Sequence, residues 1–340
     1  MGTDPANAAR HANDTRYRSG QARGHYESFF QRANHPSRPL AFWIRYTIFS
    51  PERRPEAALG ELWAVYFDGE SGRHVAVKRE VPFSQCQFSS SGLAVEIADA
   101  TLRPGALTGS ATSGVHRIAW DLTFRGDAQP LFLLPLGLYE ASMPRAKSLV
   151  GLPMASYSGS LSVDGQDLRI ADWVGSQNHN WGRRHTDEYA WGQVAGFDSH
   201  PESFLEIATA RVKFGPLWTP FMTPLVLRHR GKEIVLNSWR HMLRAQASFT
   251  YFVWNFRAET NELRLEGTIS ARREAFVGLR YYNPPGGEKH CLNTKLAACR
   301  LTLTDRRPGQ TAAPEVIETA HRAAFEILTD ARDHGIEIRA

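Results

Sequence analysis

The sequence predicts an all-β protein: two tandem antiparallel β-barrels followed by one C-terminal α-helix. Three observations lead there. Short runs rich in aromatic and β-branched residues recur along most of the 340-residue chain, separated by Gly, Pro, Asn and Asp. Only one long stretch, near the C-terminus, has helical spacing. Similar segments also recur in the same order in the two halves, and about 140 residues suffice for a small barrel, whose closure leaves no free sheet edge.

Residues 1–22 are charged and rich in Ala, Asn and Arg, and read as a disordered tail. They lack the apolar core of a secretory signal. Strand signals then follow: AFWIRYTIFS (41–50), ELWAVYFDG (61–69), RHVAVKREV (73–81) and GVHRIAWDLTFRG (114–126). LSVDGQDLRI (161–170) is a hairpin, in which Asp164-Gly165 supplies the positive φ angles of a two-residue turn. The series continues from EYAWGQVAGF to KLAACRLTL, ending near residue 304. Evenly spaced short strands of this kind belong to sandwiches and barrels. In APEVIETAHRAAFEILTDARDHG, Pro314 and Glu315 suit a first helical turn. Val316, Ile317, Ala320, Ala324, Ile327 and Leu328 share one helical face, and Gly335 is a stop.

The repeat is read from ESFFQR (27–32) followed by a strand with Trp43, against HNWGRR (179–184) followed by a strand with Trp191. AWDLTF (119–124) likewise resembles VWNFRA (253–258). The expected division is a tail over 1–22, barrels over 23–155 and 156–308, and a helix with its tail over 309–340.

Composition excludes several function classes. The net charge of +5 includes the tail arginines, and no Lys/Arg run is long enough to track a nucleic-acid backbone. Three cysteines without a Cys-x-x-Cys pair suggest a reducing compartment, no disulfide framework and no structural zinc site. The most apolar runs, PLFLLPLGLY and FTYFVWNF, fall far short of the ~20 residues of a spanning helix. A cytoplasmic protein without stable membrane insertion, open to transient membrane contact, is expected. No Gly-x-Gly-x-x-Gly, P-loop, His-Glu-x-x-His or Gly-x-Ser-x-Gly motif occurs, so no cofactor is expected. The scattered histidines give no metal signal.

NWG (180–182), YAWGQ (189–193), ESFFQR (27–32), HNW (179–181) and NTKLAACRL (293–301) occur in an order and spacing that resemble the tocopherol cyclase-like superfamily. That superfamily includes carotenoid 1,2-hydratases and fungal lipocalin-type Diels–Alderases. The resemblance covers about residues 24–304 and implies two lipocalin-like barrels. Ser28 and Phe29 depart from its opening motif. In place of its downstream Tyr-x-Asp acid stands FLEIA (204–208), with Glu206 as the carboxylate.

The chemistry implied by the resemblance is protonation of an alkene, followed by capture of the carbocation by a hydroxyl or water. That needs a neutral acid in an apolar site and aromatic faces around the cation. Six of nine tryptophans lie between positions 173 and 254. The candidate proton donors are His179, Glu206 and Glu27. His179 is equally accounted for as a structural histidine, and Glu27 as a partner of Arg32, Arg183 or Arg184. Alternation puts Glu206 on the face of Phe204 and Ala208. Asn178, Asn180, Trp181, Tyr189, Trp191, Trp43 and Asn293 are the candidate contacts to substrate. Arg183, Arg184 and His185 suit either an anionic headgroup or a solvated loop. The expected ligand is a hydrophobic small molecule. Three functions remain open: a cofactor-independent cyclase, hydratase or isomerase; a carrier; and a pericyclic enzyme acting by confinement.

Overall fold

The computed structural model describes residues 4–309 and 313–340. The chain forms two large antiparallel sheets of 12 and 10 strands, each wrapped around its own apolar core, in a lipocalin-like double-barrel arrangement. Among the described residues α-helix is confined to three short pieces, Pro5–Arg10, Gly137–Glu140 and Trp239–Arg244, beside three single-turn 3-10 helices. None of the described helices is long and apolar enough to cross a membrane.

In the first sheet, Val75–Pro82, Leu59–Asp68, Leu40–Ser50 and His25–Asn34 lie side by side. Gln166–Gly182 and Ala146–Val163 follow, then strands running back to Cys86–Phe88. The sheet curls until Val75–Pro82 meets Ala106–Ser113 and His116–Arg125. Asp164 and Gly165 form the expected hairpin turn, at φ 51° and 83°. The second sheet places Glu188–Ala195 between Phe204–Arg211 and Glu315–Thr329, with Glu288–Asp305 beyond.

Both faces of the central strands are covered, which sets the logic of the site. Phe42, Ile44 and Tyr46 fill the first barrel, whereas Ala41 and Trp43 point toward the second sheet. Phe325 and Ile327 fill the second barrel, whereas Ala324 and Leu328 point back. Phe30, Trp43, Trp63, Trp191, Leu279 and Tyr281 form a separate apolar layer between the two. Gly175 permits the closest approach within the first sheet: a Cβ there would lie 1.7 Å from the Arg32 carbonyl oxygen.

Four expectations are corrected. Residues 315–329 form a strand, not a helix, paired with both Glu188–Ala195 and Glu288–Asp305. Arg322–Leu328 is buried throughout. A strand covered on both faces reads as an unbroken apolar run, which periodicity cannot distinguish from helix. The N-terminal residues are not a disordered tail: Asp4 caps the Pro5–Arg10 helix, and Ala12 and Tyr17 are buried. The first sheet extends to Gly182, so the chain passes between sheets at 183–187 and not near 156. Finally, HNWGRR is not the second barrel's counterpart of ESFFQR. It pairs with ESFFQR in the first sheet, Glu27 opposite Trp181 and Phe29 opposite His179. The supposed repeat units are hydrogen-bonded neighbours.

Candidate active site

Between the two sheets lies a cavity of about 370 Å³, within the range of small-molecule sites. Its walls come from both barrels. Tyr26, Phe30, Trp43 and Arg45 project from the first, and Tyr189, Trp191, Glu206 and Tyr281 from the second. Exposed Phe214 and Trp239 stand at its edge.

Strand alternation sorts the candidates. Asn178 and Asn180 line the cavity, so His179 and Trp181 point to the opposite face of the same strand. His179 is fully buried and stacked on Phe29 at 4.2 Å. Its Nδ1 donates to the Ala12 carbonyl at 2.7 Å, and its Nε2 donates to Glu27 Oε1 at 2.8 Å. Neither nitrogen is left for a ligand. Glu27 also accepts the backbone N–H groups of Arg16 and Tyr17 and the ring of His25 at 2.9 Å. Burial alone would raise its pKa. The hydrogen bonds and positive charge of His179 and His25 outweigh that and hold it at about 2. Glu27 and His179 therefore form a buried, hydrogen-bonded clasp on the N-terminal segment, outside the cavity. Trp181 belongs to the same clasp, packed on Ala12 and Leu149 beneath the Arg16 guanidinium.

Glu206 is the candidate carboxylate that reaches the cavity. It is buried, and burial pushes its pKa up to about 7 against the opposing hydrogen bonds and the charge of Arg32. Trp191 Nε1 donates to Oε1 at 2.8 Å, and Gln193 Nε2 donates to Oε2 at 2.8 Å. Gln193 is itself fixed: its Oε1 accepts from Arg32 at 3.1 Å and from Ser176 Oγ at 2.6 Å. Its Nε2 also donates to Asn178 Oδ1 at 2.8 Å. Buried Arg32 further donates to Asn34 Oδ1 and the Arg322 carbonyl, tying the sheets together behind the acid. Such a network fixes the carboxyl's position and its proton affinity at once.

Tyr189, Trp191 and Trp43 line the cavity. Asn293 stands behind the wall, where its Nδ2 donates to Glu326 Oε1 at 2.8 Å. Lys295 Nζ donates to the same oxygen at 2.7 Å and to Asn293 Oδ1 at 2.6 Å. Of the 183–185 loop, Arg184 pairs with Asp187 and Arg183 is exposed. His185 is buried against the rings of Tyr26 and Tyr281, at centroid distances of 4.0 and 5.5 Å. Burial and the charges of Arg45 and Lys289 push its pKa down to about 3, so it is neutral.

Sequence reasoning missed Arg45, Glu326, Gln193 and Tyr281. A signal existed for the first two: each is a lone charge inside an apolar run, FWIRYTIF and AAFEIL. His200, His229 and Glu315 also converge, with both Nε2 atoms 3.2 Å from Glu315 Oε1. Arg230 takes that same oxygen at 2.6 Å, making an ion-paired knot that ties the last strand to the Leu225–Leu236 hairpin.

This geometry can be set beside known proteins. No family model matches the chain. An uncharacterized protein of Mycobacterium tuberculosis, found in strains CDC 1551 and H37Rv, is 26% identical over 319 residues, covering 89% of this chain and 90% of its own. Solved structures are more informative about the fold. Kievitone hydratase from Nectria haematococca is similar, with a TM-score of 0.57 at 11% identity, over 94% of this chain and 97% of that one. An AttH-like protein from Nitrosomonas europaea has a TM-score of 0.53 at 12% identity, over 90% and 91%. CghA with Sch210972 has a TM-score of 0.51 at 9% identity, over 92% and 89%. The fold is theirs. Near-complete coverage in each case means that the double-barrel fold is shared along the whole chain.

Proposed function

We propose that the chain is a cofactor-independent enzyme of the tocopherol cyclase-like and carotenoid hydratase-like group, acting on a hydrophobic small molecule between its barrels. Glu206 is the proton donor. The observation that carries this reading is a carboxyl, kept neutral up to about pH 7 by burial, on the wall of an aromatic cavity. A general acid works best with a pKa near the working pH. Protonation of a substrate alkene leaves a carbocation and converts Glu206 to carboxylate, whose charge then stabilises the cation. The faces of Trp43, Trp191, Tyr189 and Tyr281 attract positive charge through their ring quadrupoles and keep bulk water away. Capture by water gives hydration, capture by an internal hydroxyl gives cyclisation, and proton return gives isomerisation. A structural neighbour bears the name of a hydratase, in keeping with the first outcome.

Asn178 and Asn180 contact the ligand, whereas Glu27, His179 and Trp181 hold the N-terminal segment in place. Exposed Phe214 and Trp239 at the cavity's edge suit transient membrane contact during uptake of an apolar substrate.

The test is turnover of small molecules that co-purify with the protein, or of prenylated phenols and polyenes, in deuterium oxide. One deuterium on product carbon, lost with Glu206→Gln, supports acid catalysis. Product without deuterium points to confinement of a reactive polyene, and tight binding without product points to a carrier.

A further inference from the structure

Arg45 is a buried cation with no direct ion pair among the described residues. It lies on Leu40–Ser50 two residues from Trp43, on the strand face that meets the second sheet, and it lines the cavity. Its exposure is 4%. Among the described residues no carboxylate stands within 4.0 Å of it, and its one side-chain hydrogen bond is donated by Nη2 to the neutral Ser28 hydroxyl at 2.6 Å. Its Nε has no partner. Tyr281 lies under the guanidinium at 4.5 Å and Trp43 at 5.8 Å, and aromatic faces ease a cation without neutralising it.

The neighbouring carboxylates are already committed. Glu326 is held by Lys295 at 2.7 Å, and Glu61 by Lys78 at 2.7 Å. Glu206 is satisfied by Trp191 and Gln193. Lys147, the other cation in the wall, donates to the Ala141 and Pro144 carbonyls. A buried guanidinium is ordinarily paired, because burying an isolated charge is costly. Glu61 and Glu326 favour the Arg45 charge from a distance, but no carboxylate among the described residues pairs with it directly, and it lines the cavity.

We propose that the ligand carries a carboxylate headgroup, which the Arg45 guanidinium binds while the apolar remainder lies among the aromatic rings. This rests on the reading of the cavity as the substrate site. Arg45 stands on the first sheet and Glu206 on the second, so a ligand with its head on Arg45 bridges the seam and presents its apolar part to the acid. The sequence left Arg183, Arg184 and His185 open to either a headgroup or a solvated loop; neither arginine lines the cavity, whereas Arg45 does.

The experiment is displacement of the neutral fluorophore N-phenyl-1-naphthylamine from the full chain by dodecanoate and by dodecanol, matched in length and differing in charge. Dodecanoate is expected to compete at least about tenfold better, the size of a charge-assisted contact to a guanidinium. That preference should vanish in Arg45→Met and survive in part in Arg45→Lys. Equal competition by acid and alcohol overturns the headgroup proposal and leaves the cavity reading standing. Failure of the fluorophore and both competitors to bind overturns the cavity reading and the proposal with it. The comparison within the unmodified chain decides the matter even if Arg45→Met does not fold.

Discussion

Trp191 Nε1 and Glu206 Oε1 are hydrogen-bonded at 2.8 Å across neighbouring strands, diagonal to the register that sets Trp191 opposite Ala208 and Glu206 opposite Gln193. One indole thus supplies an aromatic wall and a donor to the acid. The donation favours the carboxylate, while burial favours the neutral acid more strongly, leaving the pKa near 7. The reactive group of the proposed enzyme is set by this balance.

Removing the acid should stop chemistry without emptying the cavity. Glu206→Gln keeps the shape and a hydrogen-bonding side chain but has no proton to give. Turnover is expected to fall about 100-fold or more, the usual scale for a general acid, with fluorophore affinity nearly unchanged. Parallel loss of both would indicate a binding role.

The rate should decline as pH rises through about 7, because Glu206 is active when protonated. Trp191→Phe removes a donor that favours the ionised form. The pKa should therefore rise further, moving the declining limb upward by about one pH unit. A pH–rate profile of both proteins checks the sign; a limb that moves down would contradict it.

Glu206 and Glu27 should have opposite effects on stability. The Glu206 pKa is raised in the folded protein, so its contribution weakens as pH climbs from about 4.5 to about 7. The Glu27 pKa is lowered to about 2, so its contribution is complete above about 4.5 and is lost as pH falls toward 2. Glu206→Gln should therefore flatten a loss of stability toward neutrality, and Glu27→Gln a loss toward acid. Denaturant unfolding across pH reads both.

Glu27→Gln and His179→Ala each break a buried, hydrogen-bonded pair and should cost about 3–5 kcal/mol of stability. The N-terminal segment should then be cut first by protease, since Glu27 holds the backbone of Arg16 and Tyr17 and His179 holds Ala12. Unchanged proteolysis would contradict the clasp.

Much of the fold was legible because period-two patterning survives wherever one face of a strand is more polar than the other. The common face of Phe204, Glu206 and Ala208 was readable in this way, and the Asp164-Gly165 hairpin from its turn residues. The last strand was not: Arg322–Leu328 is covered by one barrel on one face and by the seam on the other, which erases the alternation. The histidine between two asparagines illustrates a different limit. Three adjacent strand residues cannot share a face, and pairing decided that 178 and 180 meet the cavity while 179 turns away. Arg45 and Glu326 become neighbours of one cavity only when two sheets pack together, a long-range event that no local motif encodes.

The central claim is that Glu206 is a neutral acid near physiological pH, and it can be measured without knowing the substrate. Infrared difference spectra of the unmodified chain against Glu206→Gln, recorded from pH 4 to 9, isolate the carboxyl stretch of this one side chain. A protonated band that persists above pH 6 and titrates near 7 is the predicted result. A band that titrates near 4.5, the ordinary value for a glutamate, would contradict the account.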